Sequence, residues 1–181
     1  NKFSEQLRIL PRLSVDYVGF NTQKPPFDDP LVRRAFAITV DRERLIDVVY
    51  ENMVQEAKGI LPPGMPGYNP DLQALTYDPD GALRLIEQSS YGSVDALPEI
   101  VLTSAGLGGL AADTAFILDG WANDLGVTIS VRQLDPVTYF YRLAEELDAL
   151  YEFGWVADYP DPENFLDILF HSGNLINNPG G

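Results

Sequence analysis

The stretch from Gly154 to Phe165 contains the side chains of this sequence best suited to binding a small molecule. Trp155 offers a large, flat apolar face and one N–H donor. Asp158 offers a carboxylate, which forms a short, charge-assisted hydrogen bond with an ammonium group in a cleft that excludes water. Gly154 has no side chain, so a ligand can approach its main chain closely. Together these residues fit a site for a solute that carries an amine.

Each of these side chains also has a structural interpretation. Trp155 can belong to the hydrophobic core, and Asp158 can form a turn with its own backbone before Tyr159. Asn21, at the end of a predicted strand, either lines the cleft or closes the strand with an Asx turn. Both interpretations stay open at this point. The candidate ligand-binding residues are Gly154, Trp155, Val156, Asp158, Tyr159 and Asn21.

The carboxylates of the same stretch raise the alternative of a hydrolase. A glycosidase needs two carboxylates at a set separation across the bond that it cleaves. Asp158 and Asp161 flank a turn that contains proline, which fixes no such separation. Asp161 is better interpreted as a helix N-cap, and Glu163 as a first-turn residue favoured by the helix dipole. We therefore predict a protein that is not an enzyme and has no catalytic residues.

Composition argues against several other classes. The chain of 181 residues has no cysteine, which excludes disulfides and thiolate chemistry, and one histidine, His171, which argues against a multi-histidine metal site. Lys and Arg number 12 and Asp and Glu 27, so the formal net charge is −15. An acidic surface repels phosphate groups, so we expect no nucleic-acid partner, while cationic solutes are compatible with it. We expect neither a cofactor nor a metal ion.

Apolar periodicity divides the chain into alternating strands and helices. Strands are predicted at 14–21, 98–104, 127–132 and 148–155, where apolar residues alternate with polar ones or run continuously. Asp-Pro pairs predict four helix starts, because Asp accepts an orphan N–H and Pro needs none. These pairs begin at Asp29, Asp78, Asp135 and Asp161. A helix is predicted from Asp41 to near Asn52, with Leu45, Ile46, Val48 and Val49 inside, and another over 110–125, which Gly126 is expected to end. The helix from Asp135 is expected to reach about Glu146, and the strand at 127–132 to turn Val127, Ile129 and Val131 inward.

This order predicts an α/β fold in which helices cover a mixed sheet, and we expect residues 1–181 to form a single lobe. Residues 59–77, rich in Pro and Gly, are expected to be a long loop within it. No apolar run reaches the 18 or so residues of a membrane span. The chain starts without Met or an apolar leader and stops in loop composition, so we expect a segment excised from a longer protein.

Three stretches resemble the family 5 extracellular solute-binding proteins of the oligopeptide, dipeptide and nickel type. Residues 19–36, GFNTQKPPFDDPLVRRAF, resemble the family's FNT…PPF.D..VR.A segment. Residues 61–82 contain LPPGMPGY and YDPDGA and are similar to its P.G.PGY…YDP..A loop and helix. Residues 154–166, GWVADYPDPENFL, look like its GW.ADYPDP..F signature. The three occur in the family's order and cover nearly the whole chain.

The resemblance implies the C-terminal-side lobe of a type II periplasmic-binding-protein-like clamshell, in which a missing N-terminal lobe closes over the ligand. It implies that Asp158 pairs with a peptide α-amino group. It also implies that the main chain of 154–156 runs alongside the peptide like an added strand. Some members have a basic residue just before the Gly-Trp pair. Here Glu152 and Phe153 occupy those positions, which weakens the case for binding a peptide carboxylate at this point.

The resemblance further implies extracytoplasmic binding of a solute, above all an oligopeptide, for uptake by an ABC transporter. The expected partners are that solute, the permease subunits and the missing lobe. The expected location is the periplasm or the cell surface, with a lipid anchor as one form of attachment. Two alternatives stay open: the ligand-sensing lobe of a regulatory protein, and a non-peptide solute such as a sugar or a nickel chelate.

Overall fold

The computed structural model describes residues 12–143 and 147–171. Within these ranges the chain forms four strands and six α-helices. The strands are β1 Ser14–Phe20, β2 Ile100–Ala105, β3 Ile129–Leu134 and β4 Leu150–Val156. The helices are α1 Pro30–Ile38, α2 Arg42–Val48, α3 Pro79–Gln88, α4 Ala112–Leu125, α5 Pro136–Arg142 and α6 Glu163–Phe170, with a short 3-10 helix at Val94–Ala96.

The strands form one mixed sheet in the order β1-β4-β2-β3. β2 is parallel to both β3 and β4, and β1 is antiparallel to β4. The carboxyl ends of the three parallel strands therefore meet at one edge of the sheet, which is where open α/β sheets commonly bind ligands. The prediction of an α/β fold with a mixed sheet is confirmed.

Helices pack on both faces of this sheet. The larger core lies under α1, α3 and α4, where the fully buried Phe36 and Trp121 meet edge to face at 5.1 Å. The indole N–H of Trp121 donates to the carbonyl oxygen of Phe36 at 3.0 Å, so this buried polar group is paired. The opposite face carries α5 and α6, with Phe165 and Leu169 fully buried. We call the two sides the α4 face and the α6 face.

The Asp-Pro pairs act as helix caps, as predicted. Carboxylate oxygens of the first three accept from backbone N–H groups of the first turn, at 2.8 Å for Asp29 and Asp78 and 3.1 Å for Asp135. Hydrogen bonds from Thr138, first that of its side chain and then that of its backbone N–H, lower the pKa of Asp135. The fourth differs by one position, because α6 begins at Glu163 and Pro162 is its N-cap. Asp161 still accepts the Glu163 N–H at 2.9 Å, so the chemistry is the same.

Some local predictions are wrong. The helix after Asp41 was expected to reach about residue 52 with several buried residues, but α2 ends at Val48 and none of its residues is buried. Glu51 and Asn52 have positive φ, which turns the chain out of the helix. Val131 was expected to face inward and is exposed, because β3 is the outermost strand.

Two further features bear on the surface of this fold. Residues 49–78, which include the Pro- and Gly-rich segment 59–77, contain neither helix nor strand. The helix predicted up to about residue 146 is described as α5 to Arg142, and its last residues, 144–146, lie outside the described residues. In the part of the chain that the structure describes, no helix is both long and apolar enough to cross a membrane.

Candidate functional site

The end of β4 has a strand neighbour on one side only. β1 pairs with β4 along its whole length, from Phe20↔Leu150 to Ser14↔Val156. The pairing of β2 with β4 ends much earlier, at Thr103↔Tyr151. Beyond that point the edge of β4 that faces away from β1 is not covered by β2. We call residues 153–156 on this side the open edge.

Strand geometry shows which main-chain groups point into the open edge. The N–H of Ala157 donates to the carbonyl oxygen of Leu13, across the β1 side, at 2.8 Å. Along a strand, the N–H and C=O groups of successive residues point alternately to its two sides. The odd-numbered residues of β4 therefore face β1, and the main-chain groups of Gly154 and Val156 face the open edge. Such groups are a template for another extended chain.

Gly154 is constrained by a neighbour within the chain. It lies opposite Asp16 of β1, and a Cβ at this position would overlap Asp16 Oδ1. Gly154 was predicted to let a ligand approach its main chain closely. The structure adds a second reason for glycine, because a side chain here would take the space of the Asp16 carboxylate. Asp16 was missed by the sequence analysis, because only the register of β1 against β4 brings it here.

A group of carboxylates lines the α4 face beside the open edge. Burial, followed by the negative charge of Asp113, raises the pKa of Asp16. Glu152 accepts hydrogen bonds from Ser104 Oγ at 2.7 Å and from Thr114 Oγ1. It thereby joins β4 to the end of β2 and to the first turn of α4. This side of the site is thus lined by carboxylates.

Trp155 is partly a core residue and partly exposed at the site. Its ring is half-buried in the core of the α6 face and stacks on Phe153, with centroids 6.2 Å apart and an interplanar angle of 21°. Its indole N–H donates to Asn164 Oδ1 at 2.9 Å. The donor is therefore used within the chain, and what remains for a ligand is the exposed part of the ring.

Asp158 follows the open edge and presents its carboxylate to solvent. Its backbone N–H donates to Asn164 Oδ1 at 3.2 Å, and in the described residues its carboxylate accepts no hydrogen bond. Val156 is 42% exposed and Tyr159 43%, with the Tyr159 hydroxyl 3.4 Å from Glu163 Oε2. The structure thus brings Gly154, Trp155, Val156, Asp158 and Tyr159 together at one edge.

Asn21 lies away from this group. It is 3% exposed and aligned with Ala149, seven residues along the strand pair from Val156, which is roughly 24 Å at about 3.4 Å per residue. Its Nδ2 donates to the carbonyl oxygen of Leu147 at 3.3 Å, and its Oδ1 accepts from the Gln23 N–H at 3.1 Å. This is the geometry of the Asx-turn alternative, and Asn21 is not part of the site at the open edge.

The remaining titratable residues near the site are already engaged or lie apart. The Asp161 carboxylate holds the Glu163 N–H at 2.9 Å, and His171 is the C-cap of α6. Across residues 12–143 and 147–171, no group of three or more His, Asp and Glu side chains is arranged to hold a metal ion. The arrangement suits binding through main-chain hydrogen bonds and one carboxylate.

The chain is similar to proteins named for solute binding. A sequence model described as bacterial extracellular solute-binding proteins, family 5 Middle, matches residues 3–177. The chain is 33% identical over 180 residues to heme-binding protein A of Haemophilus influenzae and 33% identical over 172 residues to the dipeptide-binding protein of Escherichia coli. These alignments cover 95% and 92% of the chain and 32% and 31% of the relatives.

Solved structures agree with this assignment. The periplasmic binding protein DppA of Helicobacter pylori, in complex with the peptide STSA, superposes with a TM-score of 0.77 at 27% identity over 93% of the chain and 33% of DppA. A dipeptide-binding protein of Pseudoalteromonas with bound Met-Leu gives 0.79 at 26% identity, over 93% and 34%. The chain thus spans about a third of these proteins. It belongs to the bacterial extracellular solute-binding proteins of family 5.

Proposed function

We propose that this chain forms one lobe of a two-lobed extracytoplasmic protein that binds a peptide for uptake by an ABC transporter. Relatives named for dipeptide binding and a solved structure with bound peptide support the peptide as ligand. The single observation that carries the proposal is the open edge of β4, where Gly154 and Val156 direct main-chain groups outward beside the Asp158 carboxylate.

A peptide fits these groups in one direction. Asp158 follows β4, so a peptide whose α-amino group meets this carboxylate runs back along the strand, antiparallel to it. In an antiparallel pair, every second residue exchanges N–H···O bonds with its partner. The first and third peptide residues then pair with Val156 and Gly154. Because main-chain bonds supply the contacts, peptides of varied sequence can bind.

The rest of the site comes from outside this chain. Solved relatives are about three times as long, so a second lobe is proposed to close over the open edge and bury the ligand. The proposed partners are this lobe, the peptide and the permease subunits. The proposed location is outside the cytoplasm, in the periplasm or at the cell surface, where a lipid anchor is one form of attachment.

We infer that the site does not catalyse a reaction. The Asp161 carboxylate is engaged with the backbone at the start of α6, and Glu163 points its carboxylate at the Tyr159 hydroxyl. Of the carboxylates beside the open edge, Glu152 is held by Ser104 and Thr114, and Asp16 lies opposite Gly154 on β1. Hydrolysis of a glycosidic bond requires two carboxylates across the same bond, and we infer no such pair around Asp158.

The first experiment measures ligand binding to the full-length protein by isothermal titration calorimetry. A tripeptide with a free amino group is compared with its N-acetylated form, a sugar, a nickel chelate and haem. Asp158→Asn should weaken binding of the free tripeptide by about 1–3 kcal/mol, because a charge-assisted hydrogen bond is lost. Asp161→Asn is the matched control, because Asn also caps helices and that carboxylate has no proposed ligand contact.

The outcomes separate the candidate functions. Tight binding of the free tripeptide that depends on Asp158 supports peptide uptake. Binding of the sugar, the chelate or haem in its place would reassign the solute. If folded wild-type protein binds none of these ligands, peptide uptake is rejected in favour of the regulatory sensing lobe or a solute of another class.

A further inference from the structure

We propose that Asn164 is the positioning residue of this site, and that it sets the preference for a free α-amino group by holding Asp158 in place. The inference rests on the proposed peptide-binding function. It adds a residue that contacts no ligand itself and acts through two residues at the open edge. Asn164 belongs to the first turn of α6 and is fully buried.

The amide oxygen of Asn164 joins the end of β4 to the loop that follows it. Its Oδ1 accepts from the indole N–H of Trp155 at 2.9 Å and from the backbone N–H of Asp158 at 3.2 Å. Both partners are donors only, so the amide orientation that places the oxygen here follows from chemistry. A single buried atom thereby fixes the end of β4 and the start of the loop relative to α6.

This bond matters because Asp158 has passed the end of the strand pair. Among the described residues, the last backbone hydrogen bond from this strand to the β1 side is that of Ala157 to Leu13, so the position of Asp158 depends on what holds the loop after β4. Asn164 is itself held in place, because its backbone N–H donates to the carbonyl oxygen of Asp161 at 3.0 Å and the next residue, Phe165, is fully buried. The first turn of α6 thus fixes the position of the Asp158 backbone, and with it that of the carboxylate.

The amide nitrogen of Asn164 indicates that an asparagine is needed here for its oxygen. Within the described part of the chain, Asn164 Nδ2 is buried and has no hydrogen-bond partner. A buried donor without a partner is unfavourable, so the amide nitrogen gives no reason for an asparagine at this position. What an apolar side chain cannot do is accept the two N–H groups of Trp155 and Asp158.

The test compares two peptides and three proteins. Full-length wild type, Asn164→Leu and Asn164→Asp are titrated calorimetrically with a tripeptide and with its N-acetylated form. The ratio of the two affinities reports on the contact with Asp158, whereas the acetylated peptide alone reports on main-chain pairing at the open edge. A change in general stability would move both affinities together and leave the ratio unchanged.

Asn164→Leu removes the acceptor at nearly constant volume and should lower the affinity ratio by about tenfold or more, the effect of one hydrogen bond to a charged group. Its affinity for the acetylated peptide should change by less than about threefold, because Asn164 makes no hydrogen bond to the main-chain groups of Gly154 and Val156 that pair with this peptide. Asn164→Asp keeps an acceptor for both N–H groups and should retain most of the ratio. If Asn164→Leu does not fold, Asn164→Gln, which displaces the oxygen by one methylene, should lower the ratio in its place.

An unchanged ratio in Asn164→Leu, or equal loss of both affinities, overturns the proposal. If wild type prefers the free amine and Asp158→Asn abolishes that preference while Asn164→Leu does not, the positioning role alone is rejected. If wild type binds neither peptide, the peptide-binding function fails, and the positioning role fails with it.

Discussion

Replacing Gly154 with alanine tests the register that places this residue opposite Asp16. The added Cβ would overlap Asp16 Oδ1, whereas the next nearest atoms, Asp16 Cγ and the Val15 carbonyl oxygen, lie at 3.4 and 3.9 Å. Only one atom is in the way, and it lies at the end of a rotatable side chain. Overpacking costs about 1–3 kcal/mol, so we expect Gly154→Ala to lower the free energy of unfolding by the low end, about 1 kcal/mol.

In a protein that already has alanine at position 16, Gly154→Ala should instead raise the free energy of unfolding. Without the carboxylate, the nearest atom to the new methyl group is the Val15 carbonyl oxygen at 3.9 Å. Alanine also restricts the unfolded chain more than glycine does, which stabilises a protein by about 0.4–1 kcal/mol where the backbone is compatible. The double-mutant cycle should therefore give a coupling of about 1.5 kcal/mol, within the usual range for residues in contact.

The assay is hydrogen exchange of the amides of β1 and β4 in the full-length protein, because it reports the stability of this sheet rather than that of other domains. Gly108→Ala is the control, since a Cβ there meets nothing within 4 Å. If the effects of Gly154→Ala and Asp16→Ala add within about 0.5 kcal/mol, the two side chains do not share space and the register is wrong.

Two further substitutions test neighbouring features of the sheet. Gly19→Ala should lower the melting temperature more than Gly109→Ala does, because its Cβ would overlap the buried ring of Tyr151 and cost about 3 kcal/mol; equal melting temperatures would contradict that packing. The pKa of Asp16 is raised in the folded protein, so the folded state holds this proton more tightly than the unfolded state, and ionisation costs stability above about pH 4. Asp16→Asn should thus raise the free energy of unfolding slightly at pH 7, by on the order of 0.5 kcal/mol for a half-exposed group, and not at pH 3; an equal gain at both pH values would refute it.

Local chemistry made much of the fold predictable from the sequence. An Asp-Pro pair specifies a helix start by itself, and at Asp29, Asp78 and Asp135 the carboxylate accepts first-turn N–H groups as expected. Gly126 was predicted to end α4 and does so in the left-handed conformation, with φ of 71°. Such features need no knowledge of distant residues, which is why they survive in the folded protein.

The geometry of the site depended on contacts that periodicity cannot specify. The sequence identified the stretch from Gly154 onward, but only strand order places β4 between β1 and β2 and leaves its end uncovered. Asn21 was included because it ends a strand, and the antiparallel pairing carries it to the far end of the sheet. Asn164 was missed because an Asn in the first turn of a helix is common and gives no sign of the two donors that it accepts.

The alternation of β4 also restricts which ligands can use the whole site. Gly154 and Val156 are two residues apart, so their outward groups recur about every 6.8 Å, the repeat of alternate residues in any extended peptide. A sugar or a nickel chelate has no such main-chain repeat and would have to engage these groups in another way. In the proposed peptide complex, selectivity for a peptide would therefore arise from its backbone, and selectivity among peptides from side chains that border the edge, such as Glu152.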